Sequence, residues 1–217
     1  MKAITLYDPW GSLMSIGAKV NETRGCRTSH RGDICIHVAK ADHGCSDEVA
    51  QAAVKAFQSR GIVPQPVFGC IVAVVDLWDV QPSEKFFRGS LFNRGQHAEL
   101  VQAGRIPLFD EELMFGNYAP GRFIYRTRNL RRLATPVPCR GFQCVGWTAP
   151  PDIAAKVQAQ LPRQCSFGAA TSNRCQQPPT HVSTFQGRRS EQMFWCAEHH
   201  DGLLQDPQTP GHGFEKL

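Results

Sequence analysis

The chain has 217 residues, 41% of them hydrophobic: enough for one medium domain with an appendage, or two small domains, around a buried core. No apolar run approaches the roughly 20 residues that cross a bilayer. The opening MKAITLYDPWGS lacks the apolar stretch of a signal peptide, so the expectation is a soluble, cytoplasmic protein.

In chain order, KAITL alternates as a first strand. YDPWGSLMSIG reads as a short helix with Asp8 at its N-cap, Pro9 at the first helical position and Gly17 at its end. KVNETR is extended, which puts Val20, Glu22 and Arg24 on one side and Asn21 and Thr23 on the other. GDICIHVAKA is a strand after the turn SHRG. CSDEVAQAAVKAFQSRG is the clearest helix: Ser46 caps it, Asp47 and Glu48 fill its first turn, and Val49, Ala52, Ala53, Ala56 and Phe57 make its buried stripe. VFGCIVAVVDLWDV is a nearly continuous apolar run and therefore a central strand. GRFIYRTRNL and TPVPCRGFQCVGW supply at least two more. Many strands with few, short helices predict a mostly β (α+β) fold, a small closed or half-closed barrel flanked by short helices.

After Pro150 the composition changes. TAPPDIAAKVQAQLPRQC is a proline-led amphipathic helix that joins the barrel to a cysteine-bearing segment, and the final QDPQTPGHGFEKL is Pro- and Gly-rich and expected to be mobile.

The net charge of +5 is unevenly placed. Residues 1–150 carry 18 Lys and Arg against 13 Asp and Glu, whereas residues 151–217 carry six of each. No acidic residue occurs between Glu112 and Asp152, an interval holding Arg122, Arg126, Arg128, Arg131, Arg132 and Arg140. Such a stripe is either a solvated basic face or a surface for a polyanion. Arginine's planar fork suits phosphates and base edges.

Gly17-Ala-Lys-Val-Asn-Glu-Thr-Arg24 gathers three ionisable groups behind a glycine turn. Arg24 and Lys19 can take a phosphate or an oxyanion. Glu22 is a candidate general base, and a desolvated Lys19 a base or nucleophile. The structural alternative is that Glu22 bridges Lys19 or Arg24 and pins the mouth of the barrel. Asp76 interrupts an apolar strand, and its burial demands a partner such as Arg24 or Lys19. Trp10, beside the cluster, is either a stacking face for a base or part of the core. His37, within a strand, is a hydrogen-bonded scaffold or a catalyst.

LYDPWGSLMSIGAKVNETRGCRTSHRGDICIHVAKA resembles the opening of ASCH domains, members of the PUA-like superfamily. Their G-x-K-x-x-E-x-R hallmark is met by Gly17, Lys19, Glu22 and Arg24; the Pro9-Trp10 helix, the Arg31-Gly32 turn, IHVAK and GCIVAVVDLWD support it. FGNYAPGRFIYRTRNLRRLATPVPCRGFQCVGW resembles the closing strands, so the resemblance covers roughly residues 2–148. It implies a PUA-like β-barrel over residues 1–149 with a nucleic-acid or nucleoside cleft beside the first helix. Relatives bind RNA or DNA, act as ribonucleases, or hydrolyse the amide of N4-acetylated cytidine. The amidohydrolase relatives pair the hallmark Lys with a Thr where this chain has Glu22, so the chain departs from them there.

The leading expectation is therefore binding of RNA, DNA or a modified nucleoside through Trp10, Lys19, Arg24, Arg27, Arg31, Arg126 and Arg128. The alternative is a hydrolase of an acylated nucleobase built on Lys19, Glu22 and Asp76, or a ribonuclease whose candidates are Lys19, Glu22, Arg24 and His37. A third is a protein-interaction module.

Nine cysteines without a secretory leader point to free thiols or metal ligation. Cys35 and Cys70 lie in apolar runs and read as small buried hydrophobes. Cys139 and Cys144 flank a turn without a second pair nearby. Cys165, Cys175, Cys196 and His199 offer four N/S ligands for a structural, tetrahedral zinc, with Cys196-Ala-Glu-His199 as a knuckle-like pair and His181 or His200 as substitute ligands. A segment so poor in large apolar residues needs such a staple. HVSTFQGRRSEQMFW is its expected hairpin, with Gly187 at the turn, and it could also receive a protein partner. The layout expected is a linking helix at 150–164, a zinc-binding subdomain at 165–202 and a mobile tail at 203–217.

Overall fold

Strand β1 (Lys2–Leu6) and strand β3 (Gly32–Val38) run parallel side by side in a mixed sheet, and helix α1 (Trp10–Ser15) and strand β2 (Asn21–Arg24) occupy the crossover between them. The computed structural model describes residues 1–41, 43–65, 67–89, 94–143, 146–161, 181–185, 191–195 and 213–216. They form two compact units, Met1–Gln160 and Leu161–Leu217.

The rest of the first unit follows in order: α2 (Asp47–Ser59), β4 (Cys70–Pro82), β5 (Phe86–Arg88), α3 (Arg94–Gln102), β6 (Ile106–Leu108), α4 (Asp110–Met114), β7 (Phe123–Pro138), β8 (Trp147–Thr148) and α5 (Pro151–Gln158). Six strands make one sheet in the order β2-β7-β4-β3-β1-β8, antiparallel except for β1 beside β3; β5 and β6 form a separate parallel pair.

β4 is central because its sequence leaves it no solvated face. Cys70 to Leu77 are all buried, and the strand pairs with β3 on one side and β7 on the other. The register shifts once along β3–β4 and three times along β4–β7. Each irregularity inserts a local bend and extra twist, and together they curl the sheet. The result is a mixed α/β fold whose six-stranded sheet forms a half-barrel, with five short helices among the described residues, so of the two expected forms the half-closed one is found.

The inner face of the sheet buries Ile4, Leu6, Ile34, Ile36, Val38, Val75, Leu77 and Tyr125 against Met14 of α1. A second layer packs Leu13 of α1 against Ala53, Ala56 and Phe57 of α2 and against Phe115. α2 is as its sequence predicts. The Ser46 hydroxyl accepts the Val49 amide at 3.4 Å, and Asp47 and Glu48 sit at the positive end of the helix.

Two expectations change. Asp8 is not the N-cap: α1 starts one residue later with Pro9 in that position, and the Asp8 carboxylate accepts from the Ser12 hydroxyl instead. GRFIYRTRNL and the start of TPVPCRGFQCVGW are one strand, the 16-residue β7. Asn129, at a φ of 52°, takes up the distortion that would otherwise end it, which asparagine tolerates better than most residues.

α5, read from sequence as a link, packs on β7 with Ile153 and Val157 buried, and Gln160 just beyond it exchanges two hydrogen bonds with the Thr135 backbone, at 2.8 and 2.9 Å. It is part of the first unit.

In the second unit, β9 (His181–Phe185) lies between β10 (Glu191–Trp195) and β11 (Gly213–Lys216), antiparallel to both. The β9–β10 pair is the expected hairpin. β11 falls in the segment expected to be a mobile tail. Cys144, Cys165, Cys175, Gly187, Cys196, His199 and His200 lie outside the described residues.

Candidate nucleoside cleft

Three backbone devices place the Lys-Glu-Arg cluster. First, α1 ends in a Schellman motif: the Ala18 amide bonds the Leu13 carbonyl at 3.0 Å and the Gly17 amide the Met14 carbonyl at 3.2 Å, with Gly17 at a φ of 72°. The Lys19 amide joins the same Leu13 carbonyl, so Lys19 leaves the helix in a fixed direction. Second, the Val20 carbonyl accepts both the amide and the hydroxyl of Thr127 on β7. Third, the two carboxylate oxygens of Glu112, on α4, accept the amides of Val20 and Asn21, each at 2.9 Å. Tyr118 donates its hydroxyl to the same carboxylate at 2.8 Å, and burial, with that negative neighbour, raises its pKa.

The cluster itself is a chain of ion pairs. Lys19 is 2% exposed, and its Nζ meets three acceptors: the Asn21 carbonyl at 2.5 Å, the Phe115 carbonyl at 2.8 Å and Glu22 Oε2 at 3.3 Å. An ammonium has three protons, so all of them are committed. Glu22 Oε1 lies 3.0 Å from Arg24 Nε, close enough to pair though off the line of a hydrogen bond. Arg24 Nη2 donates to the Thr5 carbonyl at 2.8 Å. Glu22 therefore joins Lys19 to Arg24, the bridging role that the sequence left as one alternative. Behind it Tyr125, in register with Glu22, is wholly buried; its hydroxyl donates to the Cys26 carbonyl at 2.9 Å, and burial pushes its pKa up to about 12.

This chain forms one wall of a cleft of about 670 Å³. Its lining carries three cations, Lys19, Arg24 and Arg122, against one carboxylate, Glu22. Trp10 and Tyr7 add aromatic surface, and Asn117 and Gln143 add amides. Trp10 is half-buried: it packs against the α1–α2 layer and also lines the cleft. Arg122 Nη2 holds the Thr23 carbonyl at 2.9 Å, while its buried Nε has no protein partner. Thr23 also lines the cleft, and its hydroxyl accepts the Asn117 backbone amide at 3.2 Å.

Other sequence candidates lie apart from this wall. Asp76 is 1% exposed and pairs with Arg128 at 2.9 Å, not with Lys19 or Arg24, and it does not line the cleft. The set Lys19, Glu22 and Asp76 is thus not assembled, because β4 turns Asp76 toward its β7 neighbour, with which it is in register. Arg126 and Arg128 flank Trp78, at 4.2 and 5.5 Å from its ring centre, with Arg126 also paired to Asp79. Arg31 folds back onto the carbonyls of Thr28 and His30, and Arg27 is exposed. Arg131 is buried and pairs with Asp33 at 2.6 Å, so the stripe is largely neutralised where it crosses the sheet.

His37 is buried, with Nε2 3.2 Å from the Cys139 carbonyl, and burial keeps its pKa below the ordinary imidazole value. Cys35 and Cys70 are buried free thiols, as expected, and burial raises the Cys35 pKa to about 12. Glu112 and the Phe115 carbonyl, which hold the cluster in place, carry no local sequence signal; Arg122 stood out only as the first arginine of the acid-free stretch. Among the described residues no group of His, Cys, Asp and Glu has metal-site geometry, and no helix is long and apolar enough to cross a membrane. No protein-family model matches the chain, and none of the curated proteins matches it.

Lys19→Met leaves Glu22 and two carbonyls without their cation and is expected to cost about 3–5 kcal/mol in urea unfolding. Glu112→Gln keeps the shape but weakens the clamp on β2, at about 1–3 kcal/mol. A Lys19 serving chemistry alone would show no such loss.

The His37 pKa gives a pH signature. The unfolded imidazole protonates near pH 6.5, whereas the folded one stays neutral to lower pH. The unfolded state therefore binds more protons just below pH 6.5. Stability should fall there as pH drops, by at most about 1.4 kcal/mol per pH unit. Urea unfolding at pH 7.5 and 5.5 is expected to show a smaller loss in His37→Gln than in the parent chain.

Proposed function

We propose that the protein binds single-stranded nucleic acid, RNA or DNA, by seating one nucleoside in the cleft beside α1. The observation that carries this reading is the composition of one recess: two arginines with uncommitted donors, an aromatic face and amide groups in a volume typical of small-molecule sites. Arg24 and Arg122 hold phosphate oxygens, Trp10 stacks on the base, and Asn117 and Gln143 read its edge. Lys19 and Glu22 form the rigid wall that keeps Arg24 aimed. Binding is favoured over hydrolysis because the free cationic donors belong to arginines, which hold anions but do not take up protons. The resemblance to ASCH domains of the PUA-like superfamily is supported on the same ground: Lys19, Glu22 and Arg24 line one recess, and Gly17 makes the turn that leads into it.

The second unit is proposed to hold one structural zinc through Cys165, Cys175, Cys196 and His199. Thiolates with an imidazole suit tetrahedral zinc, and the hairpin register sets His181 opposite Trp195, the residue before Cys196, which keeps His181 as a substitute ligand. Bound there, zinc would cross-link a three-stranded sheet too small to bury a core of its own.

Fluorescence anisotropy with a labelled single-stranded ten-nucleotide probe tests the first proposal. Affinity should fall with salt, and Arg122→Gln should weaken it about tenfold and lower the slope of log K against log salt by about 0.7. Arg128→Gln, whose charge is already met by Asp76, should have a smaller effect. No binding at 50 mM salt, on the order where phosphate contacts are strongest, would overturn the proposal. For the zinc, elemental analysis should give about one equivalent per chain, lost in Cys196→Ser; retention of full metal in that variant would remove Cys196 from the ligand set.

A further inference from the structure

A second cavity, of about 810 Å³, opens where β3 ends, between the strand that leads to Ala41, the approach to β4 at Phe68–Gly69 and the segment Pro138–Gly141 after β7. It shares Thr5, Tyr7 and Gln143 with the cleft beside α1, so the two recesses meet at a common wall. His37 lines it and is 2% exposed. A carbonyl only accepts, so Nε2 carries the proton donated to Cys139, and Nδ1 is left as a bare lone pair. That atom is buried and has no partner. Beside it, Thr5 Oγ1 accepts from the Trp147 indole at 3.1 Å, which leaves the threonine's own proton to give.

Gly141 is what allows the Cys139–Gln143 segment to lie against these groups. A Cβ there would stand 2.3 Å from His37 Nδ1 and Cε1 and 2.7 Å from Thr5 Oγ1, where no side chain fits. The rim is different in character. Phe68 is 41% exposed, and Lys40 and Arg140 are exposed cations.

A buried acceptor without a partner calls for a donor from outside the chain. The lone pair of His37 takes an N–H, the Thr5 hydroxyl gives to an adjacent acceptor, Phe68 offers a stacking face, and Lys40 and Arg140 meet an anion. Base edges carry donors beside acceptors, the base is flat, and its sugar leads to a phosphate.

We propose that this cavity is a second nucleoside compartment, so that the protein takes a single strand two nucleotides at a time, the sugar–phosphate link crossing the wall formed by Thr5, Tyr7 and Gln143. This rests on the reading of the first cleft as a nucleoside site and adds the length and path of its ligand.

Calorimetry with the four mononucleotides and the four homodinucleotides tests it. At least one dinucleotide should bind about tenfold or more tightly than its mononucleotide. Phe68→Ala, a change at an exposed position, should cut that ratio to below about threefold, as should His37→Gln if it folds. The ¹⁵N resonance of His37 Nδ1 should move when the dinucleotide is added, as the lone pair gains a proton donor. A ratio near one in the parent chain, a ratio that survives Phe68→Ala, or an unmoved Nδ1 resonance at saturation overturns the second compartment alone, provided a mononucleotide binds. If no nucleotide of either length binds, both proposals fall.

Discussion

The organising interaction is a single buried ammonium. Lys19 brings a full positive charge almost completely out of water, which is tolerable only if every proton finds an acceptor. Two of its three acceptors, the Asn21 carbonyl and the Glu22 carboxylate, belong to β2, and the third is the Phe115 carbonyl at the end of α4. Sites almost a hundred residues apart in sequence are thereby fixed around one atom. The orientation of Arg24 follows from Glu22, and the shape of the recess follows from Arg24. The charge is spent on architecture, and the cations left to meet a ligand are the arginines beside it.

The basic character of the chain has the same logic at a larger scale. Read as a list, β7 is a row of arginines. In the fold, three of them meet carboxylates of other strands: Arg126 with Asp79 and Arg128 with Asp76 on adjacent β4, and Arg131 with Asp33 on β3 beyond it. These pairs tie β3, β4 and β7 side to side. Further cations line the two recesses, Lys19, Arg24 and Arg122 in one and Lys40 and Arg140 in the other.

What could be read from the sequence was whatever local chemistry decides. Ser46 before Asp47 and Glu48 marked α2; an unbroken apolar run marked β4 as central; Gly17 marked the turn that delivers Lys19. Alternation along β2 set Glu22 and Arg24 together. Partners distant in sequence were not legible. Asp76 was assigned the wrong cation because burial demands a partner without naming one. Glu112 gives no sign in its own neighbourhood that it grips β2. β7 looked like two strands because the residue that lets it bend, Asn129, also resembles a stop. His37 was visible as a strand histidine, but its bare nitrogen depends on the Cys139 carbonyl and on Gly141 lying over the ring, both about a hundred positions away.

The dressing of β2 has one further consequence. It is one of the two edge strands of the six, and an unclothed edge invites a strand from another molecule to add to it. Here the Asn21 amide is taken by Glu112, the Asn21 carbonyl by Lys19 and the Thr23 carbonyl by Arg122. A foreign strand would have to displace three charged side chains before it could dock. The same contacts that shape the recess thus close one of the sheet's two edges to strand addition.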